Sequence, residues 1–208
     1  QGSEEANEIL PVLERQMAPR EIDDSRRLAR EYKRLLDAVA QPRARGSNGD
    51  GLRDELLDAA AAGNTAKIAE LLSRGADLEG NDTSGRTAVI NASWRGRTEV
   101  VDLLVELGAD FNVTDYDGRT AVSWAASNGH NDIVQKLVEA GARTNVVDGD
   151  GLTPLMRAAW NGHDTIVRLL IESGARASMK DENGKSALDY AFEGKHLDVV
   201  RTLRSFGA

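Results

Sequence analysis

Apolar residues fall at helical spacing in the same short clusters along most of the chain. Val100-Val101-Leu104, Ile133-Val134-Leu137 and Ile166-Val167-Leu170 are one pattern repeated at a shift of thirty-three residues, and each predicts a single apolar helical face. Ahead of each lies a second pattern, Val89 with Ala92, Val122 with Ala125 and Leu155 with Ala158, whose small residues permit close helix contact. Polar and glycine positions keep the same phase. Thr87, Thr120 and Thr153 stand where the earlier helix of each pair should begin, able to accept from a free backbone N–H, and Pro154 presets φ at a first helical position. Gly85, Gly118, Gly151 and Gly184 precede these starts, and Gly108, Gly141 and Gly174 suit the left-handed position past a helix end.

The clusters divide the chain into five units, 52–84, 85–117, 118–150, 151–183 and 184–208, closing on Gly75-Ala76, Gly108-Ala109, Gly141-Ala142, Gly174-Ala175 and Gly207-Ala208. This period, with the Thr153-Pro154-Leu155-Met156-Arg157-Ala158 start and the Gly-Ala finish, resembles the ankyrin repeat, one β-turn and two helices per unit. The resemblance spans roughly three quarters of the chain. It implies an all-α-type repeat solenoid whose units lean on their neighbours instead of on a central core. Unit one carries Lys67 and Glu70 where unit two has Val100 and Leu103, and unit five carries Thr202 and Arg204 where unit four has Leu169 and Ile171. Polar residues facing outward at both ends are what terminal caps require, so the array is expected to stop at five units.

Residues 4–40 lie outside the period. Glu5 to Met17 and Arg20 to Ala40 read as helices, the second with a stripe of Leu28, Tyr32, Leu35, Leu36 and Val39 on one face. Pro19 suits a first helical turn, while Pro11 starts or kinks the earlier helix. The stretch 41–51, with Pro42, Gly46, Ser47, Asn48, Gly49 and Gly51, reads as a flexible connector. Gln1-Gly2-Ser3 reads as the remnant of a protease site and carries no structural weight. Three roles remain open for the helical segment: covering the end of the solenoid, forming a homodimer contact through its stripe, or folding back into the repeat groove. Leu10-Pro11-Val12-Leu13 resembles part of a proline-containing motif read by one ankyrin subfamily, with Glu8 where that motif has its leading proline.

Charge and composition narrow the function classes. Lysine and arginine number 26 against 34 aspartate and glutamate, a net charge of -8, which opposes generic binding to a phosphate backbone. Cysteine is absent, removing thiolate nucleophiles, disulfides and cysteine-type zinc sites, and fitting an intracellular, reducing compartment. No apolar run has the length of a membrane span. Asn81, Asn91 and Asn112 begin Asn-x-Ser/Thr triplets that would matter only on a secretory route.

Apparent catalytic and metal motifs have simpler readings. His130, His163 and His196 occupy one position in successive units, where the resemblance implies that the imidazole bridges loop backbones; such a ladder does not converge as metal ligands must. Ser127, His130 and Asp132 make a triad on paper, with no nucleophile elbow or oxyanion donor beside them. Asp115-Tyr116-Asp117-Gly118 and Asp148-Gly149-Asp150-Gly151 imitate the start of a calcium loop, but its required glutamate position holds Trp124 and Arg157. They read as β-turns. No phosphate-cradling glycine motif occurs. The expectation is a non-enzymatic chain with no metal or cofactor.

In ankyrin arrays the turn tips and one face of each first helix form a concave groove, so the resemblance implies partner-binding positions here. In unit two these are Asn91, Trp94 and Arg95; in unit three, Trp124, Ser127 and Asn128; in unit four, Arg157, Trp160 and Asn161; in unit five, Tyr190 and Glu193. The turn tips add Arg86, Tyr116, Asp117, Arg119 and Lys185. Trp124 and Tyr190 stand where the pattern prefers leucine and have a competing role as packing between units. Trp94 and Trp160 fall at solvent-facing positions, and tryptophan with arginine is the usual composition of an interface hot spot. The expected partner is a protein or peptide bearing apolar anchors. A methyl-lysine cage built on these aromatics, or a nucleotide stacked on tryptophan and held by Arg95 and Arg157, are narrower alternatives.

Overall fold

The structure, a computed structural model, describes residues 49–208. Both expected N-terminal helices, with their capping, dimer and groove-filling roles, lie outside the described residues. Among the described residues ten helices form five pairs: α1 Gly49–Ala62 with α2 Thr65–Ser73, α3 Ala88–Trp94 with α4 Thr98–Glu106, α5 Ala121–Asn128 with α6 Asn131–Glu139, α7 Pro154–Trp160 with α8 Asp164–Glu172, and α9 Ala187–Glu193 with α10 Leu197–Ser205. First helices pack in one row, α1 through α9, and second helices in another, α2 through α10. The solenoid is thus two helix layers joined by turns. Gly49, Asp50 and Gly51 belong to helix α1 and not to the connector that their glycine-rich composition suggested.

The repeated apolar clusters make the core. Val100, Val101, Leu104, Ile133, Val134, Leu137, Ile166, Val167 and Leu170 are all fully buried, as are Ala92, Ala125 and Ala158. Burying each such leucine or isoleucine contributes about 1.5–3 kcal/mol. At the helix starts, Thr120 accepts from Ser123 N–H, Thr153 from Met156 N–H and Ser186 from Asp189 N–H. Thr87 departs from the expected cap: its buried hydroxyl has no hydrogen-bond partner among the described residues.

Successive units are tied together backbone to side chain. His130 Nε2 donates to the Trp94 carbonyl (3.2 Å), His163 Nε2 to that of Ser127 (3.2 Å) and His196 Nε2 to that of Trp160 (2.9 Å). Arg97 does the same work one unit earlier, its Nε donating to the Ala61 carbonyl at 2.9 Å. Along the opposite loops, Asn112 accepts from Arg143 N–H and Asn145 from Arg176 N–H, each at 2.8 Å. The histidine ring needs a bare glycine beneath it: a Cβ on Gly162, whose φ is +78°, would stand 2.5 Å from His196 Nδ1. Lys195 holds the matching left-handed position at φ +60°, where its side chain bears the strain of that region.

The two ends differ. At the first, Lys67, Glu55, Glu70 and Arg74 form an ion-pair network, a polar face as expected. At the last, Arg204 is exposed as expected but Thr202 is not. Thr202 points inward, 1% exposed, bonded to Asp164 and Arg168 of the unit before, because its position on α10 meets the preceding helix. The outer surface of unit five instead exposes Phe192, Leu197 and Phe206. Phe192 corresponds to Ala159 and Ala126, both fully buried by the next unit.

Candidate functional site

Four turn aspartates, Asp82, Asp115, Asp148 and Asp181, recur at the thirty-three-residue period and organise the face shared by the turns and first helices. One oxygen of each accepts two backbone N–H groups of its own turn, as Asp115 Oδ1 does from Asp117 and Arg119. The second oxygen is taken, in units three to five, by the side chain nine residues on. Trp124 Nε1 donates to Asp115 at 2.8 Å, Arg157 Nε to Asp148 at 2.8 Å and the Tyr190 hydroxyl to Asp181 at 2.6 Å. Three unlike side chains therefore latch helix to turn by one geometry. In unit two the corresponding residue is Asn91, which is buried, and Arg86 Nε lies 3.4 Å from Asp82 instead.

This latch corrects the groove expected from the sequence. Tyr190 is only 6% exposed, and Asn91 is likewise enclosed, so neither side chain is offered to a partner. Burial first, then the bond to Asp181, pushes the Tyr190 phenol up to about 12. The same hydrogen bond holds the Asp181 carboxyl below its ordinary range. Arg157 is committed to two carboxylates, reaching Asp150 at 2.5 Å as well as Asp148, and Arg119 joins the same Asp150 at 3.1 Å. Those two guanidiniums, Arg157 foremost, hold Asp150 below the usual carboxylate range. Trp124 is half-buried, consistent with the packing role open to it.

What remains on the face is aromatic and arginine-rich. Trp94 meets Trp124 at 5.5 Å between ring centroids, and the guanidiniums of Arg95 and Arg86 lie 4.2 and 4.8 Å from the Trp94 centroid. Arg119 covers Trp124 at 4.6 Å. Further along, Trp160 is 49% exposed and stacks on Tyr190 at 5.1 Å, nearly parallel. Lys185 reaches over Tyr190 and pairs with Glu193 at 2.8 Å, a contact that raises the Lys185 pKa. Asn128 donates to the Trp94 carbonyl, and Asn161 to Ser127 and to the Arg157 carbonyl. Tyr116 is widely exposed at its turn tip, its ring against Gly85, and Asp117 is exposed beside it.

The aromatic pairs do not converge into a cage. Trp160 and Tyr190 lie against one another, leaving no gap for a methylated ammonium, and Trp94 already carries two guanidiniums. Among the described residues no cluster of histidine and carboxylate side chains is arranged to hold a metal ion, and no helix is long and apolar enough to cross a membrane. The latch aspartates and Arg97 are the working residues that pattern reading passed over. The aspartates were visible as turn residues in phase, and Arg97 sits in register with the three histidines.

Comparison with known proteins agrees with this geometry. A family model described as ankyrin repeats, in three copies, matches residues 56–148 and again 124–208. Among curated proteins none matches the chain. Ankyrin repeats serve generally as protein–protein interaction modules and are typically non-enzymatic. The period, the paired helices, the histidine ties and the family match lead to one conclusion: the chain belongs to the ankyrin repeat family.

Proposed function

We propose that the face formed by the turns and first helices is a groove binding a partner protein or peptide, without catalysis, in an intracellular setting. Trp160 carries this reading. Its ring is half exposed, held flat by Tyr190, at a position where the side chain is anchored but not enclosed. A pre-positioned tryptophan binds with little loss of side-chain freedom, and tryptophan and arginine dominate interface hot spots. Arg95, Trp94 and Tyr116 extend the same surface.

Hydrogen exchange on the array, with and without a protein captured from cell lysate, tests the reading. Protection over the first helices and turn tips, together with loss of about 2 kcal/mol of affinity in Trp160→Ala at unchanged thermal stability, is expected. Protection confined to the second helices or the array ends, with Trp160→Ala binding as the wild type does, would refute it.

A further inference from the structure

The groove is not uniform along its length, and the way its cations are used identifies the chemistry of an occupant. This inference rests on the groove reading above. In units four and five the positive side chains are spent internally, Arg157 on Asp148 and Asp150 and Lys185 on Glu193. In unit two one of them is not. Arg95 stacks on Trp94 and forms no ion pair among the described residues, whereas Arg86, over the same ring, is held by Asp82 at 3.4 Å and by Ser84, to which its Nη2 donates. The nearby acids are taken up elsewhere than on Arg95: Asp115 accepts from two backbone N–H groups and the Trp124 indole, and Asp82 accepts from Ser84 and Arg86 N–H and pairs with the Arg86 guanidinium. A guanidinium lying on an indole uses its flat face and keeps its in-plane donors for carboxylate geometry.

The far end is different. Trp160 presents an apolar ring edge and face, with neighbouring charges already paired. The surface thus runs from cationic and aromatic at Arg95, Arg86 and Trp94 to apolar and neutral at Trp160. The chain's net charge of -8 repels polyanions at long range, which selects a short segment with a few carboxylates over a nucleic acid. Trp94 and Trp160 occupy the same position two units apart, a span of about 20 Å at the roughly 10 Å spacing of packed helices. An extended peptide covers that in about six residues.

We propose that the groove takes an extended peptide with one or two Asp or Glu side chains over Arg95 and an apolar, aromatic anchor about six residues away over Trp160. Fluorescence anisotropy with labelled synthetic peptides tests this. The set carries an Asp-Glu pair and a Phe-Leu pair separated by five polar residues, in both chain directions, with matched versions having Lys-Lys for Asp-Glu or a spacer of two. The five-spacer acidic peptide is expected to bind in one direction, at least tenfold tighter than its Lys-Lys or short-spacer counterparts. Arg95→Glu should lose at least tenfold for the acidic peptide and regain binding with the Lys-Lys version, a reversal that misfolding cannot produce. Failure of every acidic peptide at about 1 mM, the weak end of measurable affinity, overturns the proposal, as does indifference to charge or spacing. If binding is indifferent to charge but still lost in Trp160→Ala, the groove reading survives and this one does not. If neither Arg95→Glu nor Trp160→Ala changes peptide binding, both fall.

Discussion

Replacing Tyr190 by phenylalanine removes one oxygen and keeps the ring on Trp160, so it isolates the latch between helix α9 and its turn. The lost bond is a 2.6 Å donation from a buried phenol to a carboxylate, and hydrogen bonds to charged groups contribute about 1.5–3 kcal/mol. Burial contributes first to the rise of the phenol from 10.0 to about 12, and the bond to Asp181 second. A loss of about 2 kcal/mol is therefore expected, or about 4–8 °C in Tm for an array of this size. Because the folded phenol titrates above its unfolded value, its contribution is complete below pH 10 and fades as pH rises towards 12. Because Asp181 titrates below its ordinary value, the contribution also fades on acidification, as pH falls below about 4 through the lowered pKa. Urea unfolding of wild type and Tyr190→Phe, followed by circular dichroism at pH 8 and through the pH 10–12 range, measures the gap directly. A gap below about 0.5 kcal/mol, the ordinary scatter of surface substitutions, would refute the latch. So would a gap that stays constant from pH 10 to 12.

Two further substitutions probe the backbone reasoning. Lys195→Gly should stabilise the array by about 1 kcal/mol, since it relieves a left-handed lysine at φ +60°; a lowered urea midpoint would contradict this. Thr87→Val should be neutral or stabilising, because the buried hydroxyl it removes has no partner among the described residues. Thr120→Val, which deletes a working N-cap bond to Ser123, should cost about 1 kcal/mol. Equal effects of the two threonine changes in thermal melts would show that the caps are not distinct.

Much of this architecture is legible in the linear sequence because it is written at short range. The spacing of Val100, Val101 and Leu104 within one helix, the Thr-Pro start at 153–154 and the left-handed glycines require only local geometry, and thirty-three-residue repetition makes each reading confirm the next. The three histidines in phase likewise announce a structural ladder. The buried faces follow with little correction.

What needed tertiary structure is the direction of long side chains whose partners lie one unit away. Trp124, Arg157 and Tyr190 share a position that can point into the groove or back to the turn, and the unfilled second oxygen of each turn aspartate decides for the turn. Thr202 looks like a solvent-facing cap until α8 brings Asp164 and Arg168 against it. Arg97 becomes an equivalent of histidine only because the Ala61 carbonyl, thirty-six residues earlier, is stacked within 2.9 Å. Helical periodicity tells which residues share a face of one helix; only the packing of one unit on the next tells what that face meets, and so which of the candidate binding residues remain free to bind.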